Sequence, residues 1–107
     1  MANFVQKYPT SQQTTTQAIA YTGSSVAASN AFGSETYQVR LAATSACVYK
    51  IGDGAQTAAD DNTSIYLPAG VVEYVRVNPG QKIAAIRKGT DGLVTATSGT
   101  LWVTELT

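Results

Sequence analysis

Along most of this chain apolar and polar residues alternate in short runs, broken by Gly, Pro, Asn and Asp. In residues 35–43, ETYQVRLAA, the alternation sets Tyr37, Val39 and Leu41 on one face and Thr36, Gln38 and Arg40 on the other. A period of two is the mark of a half-buried strand. Residues 45–51 repeat it, with Cys47, Tyr49 and Ile51 on a common face. Further strands are predicted over 17–21, 63–67, 71–77, 82–87, 93–97 and 101–106. No window sustains helical spacing of apolar residues long enough to compete.

The breaks between these runs carry turn chemistry. Leu67-Pro68-Ala69-Gly70 has proline second and glycine fourth, which predicts a type I turn. Asn78-Pro79-Gly80-Gln81 centres on Pro-Gly and predicts type II, because glycine takes a positive φ there at little cost. Residues 22–34 and 88–92 read as loops. About eight short antiparallel strands recurring every ten residues or so predict an all-β fold. The architecture expected over residues 18–107 is a single small β-sandwich or jelly-roll-like barrel. Residues 71–77 and 83–86 carry apolar side chains on both faces. Such strands are either central in the core or turn one face to another subunit.

Residues 1–17 read as an extended N-terminal arm. Phe4, Val5 and Tyr8 are its apolar contacts, and the polar run PTSQQTTTQ cannot bury enough surface to fold alone. The arm either frays or orders against a neighbour.

Composition narrows the chemistry. The chain has 107 residues, the size of one domain, with seven basic and seven acidic residues. Without a basic excess no nucleic-acid partner is expected. No apolar run approaches the roughly 20 residues of a membrane span, and residues 1–13 lack a signal-peptide core. The single cysteine, Cys47, lies among apolar neighbours and reads as a small buried hydrophobe. There is no histidine, the commonest general base and metal ligand, so Ser-His-Asp and Cys-His arrangements are impossible. The acids lack convergent spacing for paired-carboxylate chemistry, and Glu73 and Glu105 read as members of charged strand faces. The expectation is a protein with no enzymatic activity, cofactor or small-molecule substrate.

Two features remain as candidate binding chemistry. The stretch 51–70, IGDGAQTAADDNTSIYLPAG, gathers Asp53, Asp60 and Asp61. Their spacing does not fit a helix–loop–helix calcium loop. They read as solvated residues of a long hairpin connection with a role in subunit contact, rather than metal ligands. Six tyrosines and Trp102 supply enough aromatics for a carbohydrate-binding face. Tyr37, Tyr49, Tyr66, Tyr74 and Trp102 nevertheless fall in predicted strands, where packing against neighbours is the expected use.

The order of motifs from residue 36 to the C-terminus resembles that of small capsid decoration, or cement, proteins of tailed bacteriophages. The matching pieces are residues 37–40, 44–52, 66–70, 73–77, 79–84 and 103–105, which read TyrGlnValArg, ThrSerAlaCysValTyrLysIleGly, TyrLeuProAlaGly, GluTyrValArgVal, ProGlyGlnLysIleAla and ValThrGlu. The resemblance implies a β-sandwich or jelly-roll subunit, often trimeric, that binds the major capsid protein on the outer surface of an icosahedral head. It implies synthesis in the bacterial host cytoplasm and a place in the virion, stabilising the head by bridging capsid subunits. Phages also use such sandwiches as tail or connector subunits and as receptor-binding carbohydrate modules, and these are the alternative expectations. The contact surfaces expected for the decorating role are residues 1–17, 22–34 and 52–63.

Overall fold

The computed structural model describes residues 13–61, 63–89 and 98–106. Among these, the regular structure is entirely strand: β1 (Gln13–Tyr21), β2 (Val26–Ala27), β3 (Gln38–Ala43), β4 (Cys47–Gly52), β5 (Ile65–Leu67), β6 (Val72–Arg76), β7 (Lys82–Arg87) and β8 (Gly99–Leu106). They form two four-stranded antiparallel sheets, in the orders β1-β8-β3-β6 and β2-β7-β4-β5. The connectivity follows from one operation. β4 pairs with β5, β3 with β6, β2 with β7 and β1 with β8, as in a long hairpin. Rolling that hairpin adds the pairs β3–β8 and β4–β7. The result is a jelly roll: an all-β sandwich, as the alternation predicts.

The strands differ from the sequence reading in detail. β1 begins at Gln13, so residues 13–17, assigned to the arm, lie in the sheet. The expected loop 22–34 contains the two-residue β2. The strand expected over 93–97 lies outside the described residues, as do Phe4, Val5 and Tyr8. Residues 82–87 form a strand with the expected bounds.

The inward faces meet in one core. Ile19, Tyr21, Val39, Leu41, Leu101 and Val103 from the first sheet pack over Cys47, Tyr49, Leu67, Ile83 and Ala85 from the second. Apolar burial of this kind contributes roughly 25 cal/mol per Å² and drives the layers together. Tyr37, expected beside Val39 and Leu41, is 56% exposed, because β3 begins after it. Thr36, expected on the polar face, is buried.

Buried polar groups in this core are paired, as the cost of an unmade hydrogen bond requires. Tyr49 donates its hydroxyl across the sandwich to Glu73 at 2.9 Å. Tyr21 donates to the Ser45 carbonyl at 2.5 Å and accepts from the Ser45 amide at 3.1 Å. Glu105, expected on a charged face, is instead buried on the inward one. Its Oε1 accepts from the Gly33 amide at 3.0 Å and from the Thr36 hydroxyl. Gln17 seals the side of the roll, donating to the Asn30 carbonyl and accepting from the Asn30 amide, each at 3.0 Å.

Of the two turns read from sequence, Asn78-Pro79-Gly80-Gln81 has the expected form: Gly80 has φ of 83° and the Gln81 amide donates to the Asn78 carbonyl at 3.2 Å. The other is shifted by one residue. The Val71 amide donates to the Pro68 carbonyl at 3.4 Å and Gly70 has φ of 75°, which puts glycine third rather than fourth. A positive φ at the third position belongs to type II, not type I.

Gly99, at the start of β8, has no room for a side chain. A Cβ there would meet the Ser45 hydroxyl, the Thr44 hydroxyl at 2.6 Å and the Tyr21 hydroxyl at 2.8 Å. Gly99→Ala is therefore expected to break up the Tyr21–Ser45 contacts and cost about 1–3 kcal/mol in urea unfolding. An unchanged midpoint would show that this corner can yield.

Candidate functional site

The acidic stretch turns out to be a cover rather than a free loop. In sheet β2-β7-β4-β5, Val48 and Ala84 alternate with inward residues and so face outward, as does Ala46 just before β4, yet all are buried. Residues 53–61 lie across them. The loop leaves β4 opposite Lys82, and its buried Ala58 donates its amide to the Ser25 hydroxyl at 2.9 Å. It then reaches the far end of β7, where Asp60 accepts from Lys88 Nζ at 2.9 Å and from the Gly89 amide at 2.7 Å. From there it returns to β5.

The three aspartates of the sequence reading have separate places along this path. Asp53 is exposed. Asp60 forms the ion pair with Lys88, and these bonds hold its carboxyl below the usual range. Asp61 accepts from the Thr63 hydroxyl at 2.5 Å and the Thr63 amide at 2.8 Å, which lowers its pKa in the same way. Asp60 thus fastens the loop to the body and Asp61 shapes a local turn. Among the described residues, no three Asp, Glu, Cys or His side chains gather into a metal site.

The opposite face of the molecule has no such cover among the described residues. On the outer side of sheet β1-β8-β3-β6, Ala18, Trp102, Ala42 and Val72 stand directly opposite one another across the four strands. The next row is Thr16, Thr104, Arg40 and Tyr74. Trp102 is 47% exposed, Val72 42% and Tyr74 59%. Trp102 and Tyr74, expected to be packing residues, instead share an open face, and Tyr66 is also exposed; Tyr49 is buried as expected. A contiguous exposed apolar patch rimmed by polar groups marks an interaction surface. Its sequence signal is the two-sided apolarity of residues 71–77.

The sheet edges differ in the same unequal way. β2 and β5, the edges of one sheet, have two and three residues. β6 has five, with Glu73 turned inward beneath it. Short strands and inward charges are standard protection against unwanted strand pairing. β1, the remaining edge, runs nine residues, QTTTQAIAY, without a charge or a proline.

Cys47, read as a buried hydrophobe, has no exposed surface. Burial pushes its thiol up to about 11, against a hydrogen bond with Tyr21 and with the nearby Glu73 charge adding to the rise. Burial and the Glu73 carboxylate likewise raise the Tyr49 hydroxyl above its ordinary value. Neither group is set up as a nucleophile or base. No protein-family model matches the chain, and neither the curated proteins nor the solved structures contain a significant match.

Two outcomes follow from these positions. Because the folded Asp60 carboxyl titrates below its unfolded value of 3.8, its contribution is complete above that value and is lost as pH falls through the lowered one. Asp60→Asn should therefore speed hydrogen exchange at the Ala58 amide several-fold near neutral pH, and wild type and variant should converge in strong acid. Equal exchange at neutral pH would show that the Lys88 pair does not hold the loop. For Cys47, roughly one thiol in a thousand is ionised at pH 8 with a pKa of about 11. A disulfide reagent should modify it only after unfolding; prompt reaction with the native protein would contradict its burial.

Proposed function

We propose that this chain is a structural protein of a tailed-phage particle, decorating or cementing the capsid by bridging major capsid protein subunits. The observation that carries the reading is the β1 edge. It is the one long, uncharged strand edge among the described residues, in a sheet whose other edge carries an inward charge. An edge of that kind can accept a strand from a neighbouring chain, with backbone hydrogen bonds supplying affinity. It also follows directly in sequence on residues 1–12, which read as an adhesive arm.

Three further features support the role. The turn motifs that carry the resemblance to decoration proteins, at residues 66–70 and 79–84, occupy turns and the adjoining ends of β5 and β7. The covered face of the second sheet and the paired core polar groups make a rigid block. Association as a homotrimer would multiply modest edge contacts into stable coating of a symmetric shell.

The test separates docking from folding. Thr15 is exposed in β1, near the bulge between Gln13 and Thr16. Thr15→Lys should leave the melting temperature within a few degrees of wild type, yet weaken binding to heads stripped of this protein about tenfold or more in co-sedimentation. Deletion of residues 1–12 should act in the same direction with β1 retained. Full head binding by both variants, or a copy number per particle too low to coat a shell, would overturn the proposal.

A further inference from the structure

The open face of sheet β1-β8-β3-β6 combines three properties that belong together chemically. The first is aromatic surface. Trp102 and Tyr74 are exposed on the same side of the sheet, on strands separated only by β3. The second is shape. Ala42 stands directly between Trp102 and Val72, so a small side chain lies between two large ones. Adjacent strands lie about 4.8 Å apart, which puts those flanking residues roughly 10 Å from each other across the recess.

The third property is charge. Arg40 lies directly opposite Tyr74, and Arg76 follows Tyr74 two residues along β6 on the same face. Among the described residues, the one ion pair is Lys88–Asp60, so neither arginine is neutralised. The carboxylates of this sheet, Glu73 and Glu105, point inward. Among the described residues the face is therefore aromatic and cationic without a counter-charge, in a chain whose net charge is zero.

We infer that this face binds an acidic polysaccharide bearing uronate carboxylates. Pyranose rings present C–H faces that stack on exposed aromatic side chains. A guanidinium pairs bidentately with a carboxylate, which a neutral sugar cannot offer. Arg40 and Arg76 select the charge while Trp102 and Tyr74 hold the ring, and Ala42 leaves clearance beside Trp102. A partner protein would need to bring carboxylates to the same two arginines; the exposed aromatic rings, with a small residue beside Trp102, favour the sugar. This role is separate from capsid docking, which uses the β1 edge.

Trp102 is the sole tryptophan of the chain, so its emission reports directly on the site. Titration of the full-length protein with oligogalacturonate should change and shift that emission saturably, while a neutral maltooligosaccharide of equal length should not. By calorimetry, Trp102→Ala and the double variant Arg40→Gln, Arg76→Gln should each weaken binding about tenfold or more. Trp102→Phe, which keeps a ring to stack on, should retain most of the affinity. Melting temperatures near wild type would show that these surface variants remain folded, and unchanged head binding by Trp102→Ala would keep this site distinct from docking. Dextran sulfate serves as the control for ion exchange. The inference is overturned if oligogalacturonate leaves the emission unchanged, if the neutral sugar binds equally, or if dextran sulfate binds as tightly and indifferently to Trp102→Ala.

Discussion

The closing pair of the roll, β1 against β8, is the contact on which the rest of the molecule leans. β8 lies between β1 and β3, and its Leu101 and Val103 enter the core from the middle of the sheet. The same strand carries Glu105, which ties down the corner at Gly33 and Thr36. Side chains joined across this pair are far apart in sequence: the hydroxyls of Thr16 and Thr104 meet at 3.2 Å across a sequence separation of 88. Closing so long a loop costs more entropy than forming the β4–β5 hairpin at the tip of the roll, though the cost grows only logarithmically with length. The final pair must therefore gain stability through burial. That accounts for the tight Gly99 corner and for inward residues along β8 with almost no exposed surface.

Much of this was legible from alternation and turn chemistry. Residues 82–87 and the Asn78–Gln81 turn carry their structure locally, in a short apolar run bounded by bases and a Pro-Gly pair. What could not be read was the tertiary placement of polar groups. Thr36, Glu73 and Glu105 have the composition of a solvated face and lie inward because partners from distant segments reach them. β2 was hidden for a similar reason. Two residues in a Gly/Ser-rich loop carry no periodicity, and they become a strand only because β7 offers an edge. The frame shift at Pro68–Val71 turns on where the hydrogen bond closes, which composition does not specify.

Two-sided apolarity shows the same limit in both directions. β7 and β6 each read as apolar on both faces. In β7 the reason is internal: it lies between β2 and β4, and the loop of residues 53–61 lies over its outer side, so that Ala84 has no exposed surface. In β6 the outer residues Val72 and Tyr74 have no cover among the described residues. The difference is one of spare chain. The connection between β4 and β5 is long enough to fold back across its own sheet, whereas β6 leaves through the tight turn at residues 78–81. Acidic residues in the long connection fasten it by an ion pair and an Asx-type turn, which is why their clustering resembled a ligand site.

The unguarded edge and the open face belong to the same sheet, and their geometry makes them compatible. A strand added to β1 would lie in the plane of the sheet, about 4.8 Å beyond it, while side chains stand perpendicular to that plane. Such a strand would extend the outer face rather than bury it. Ala18, on β1, begins the row that continues through Trp102, Ala42 and Val72, so alternate side chains of the added strand would fall in line with that row. Strand pairing uses backbone groups at the margin, and recognition on the face uses side chains nearer β3 and β6. One sheet can thus be held by its edge and still present its aromatic and arginine side chains to solvent.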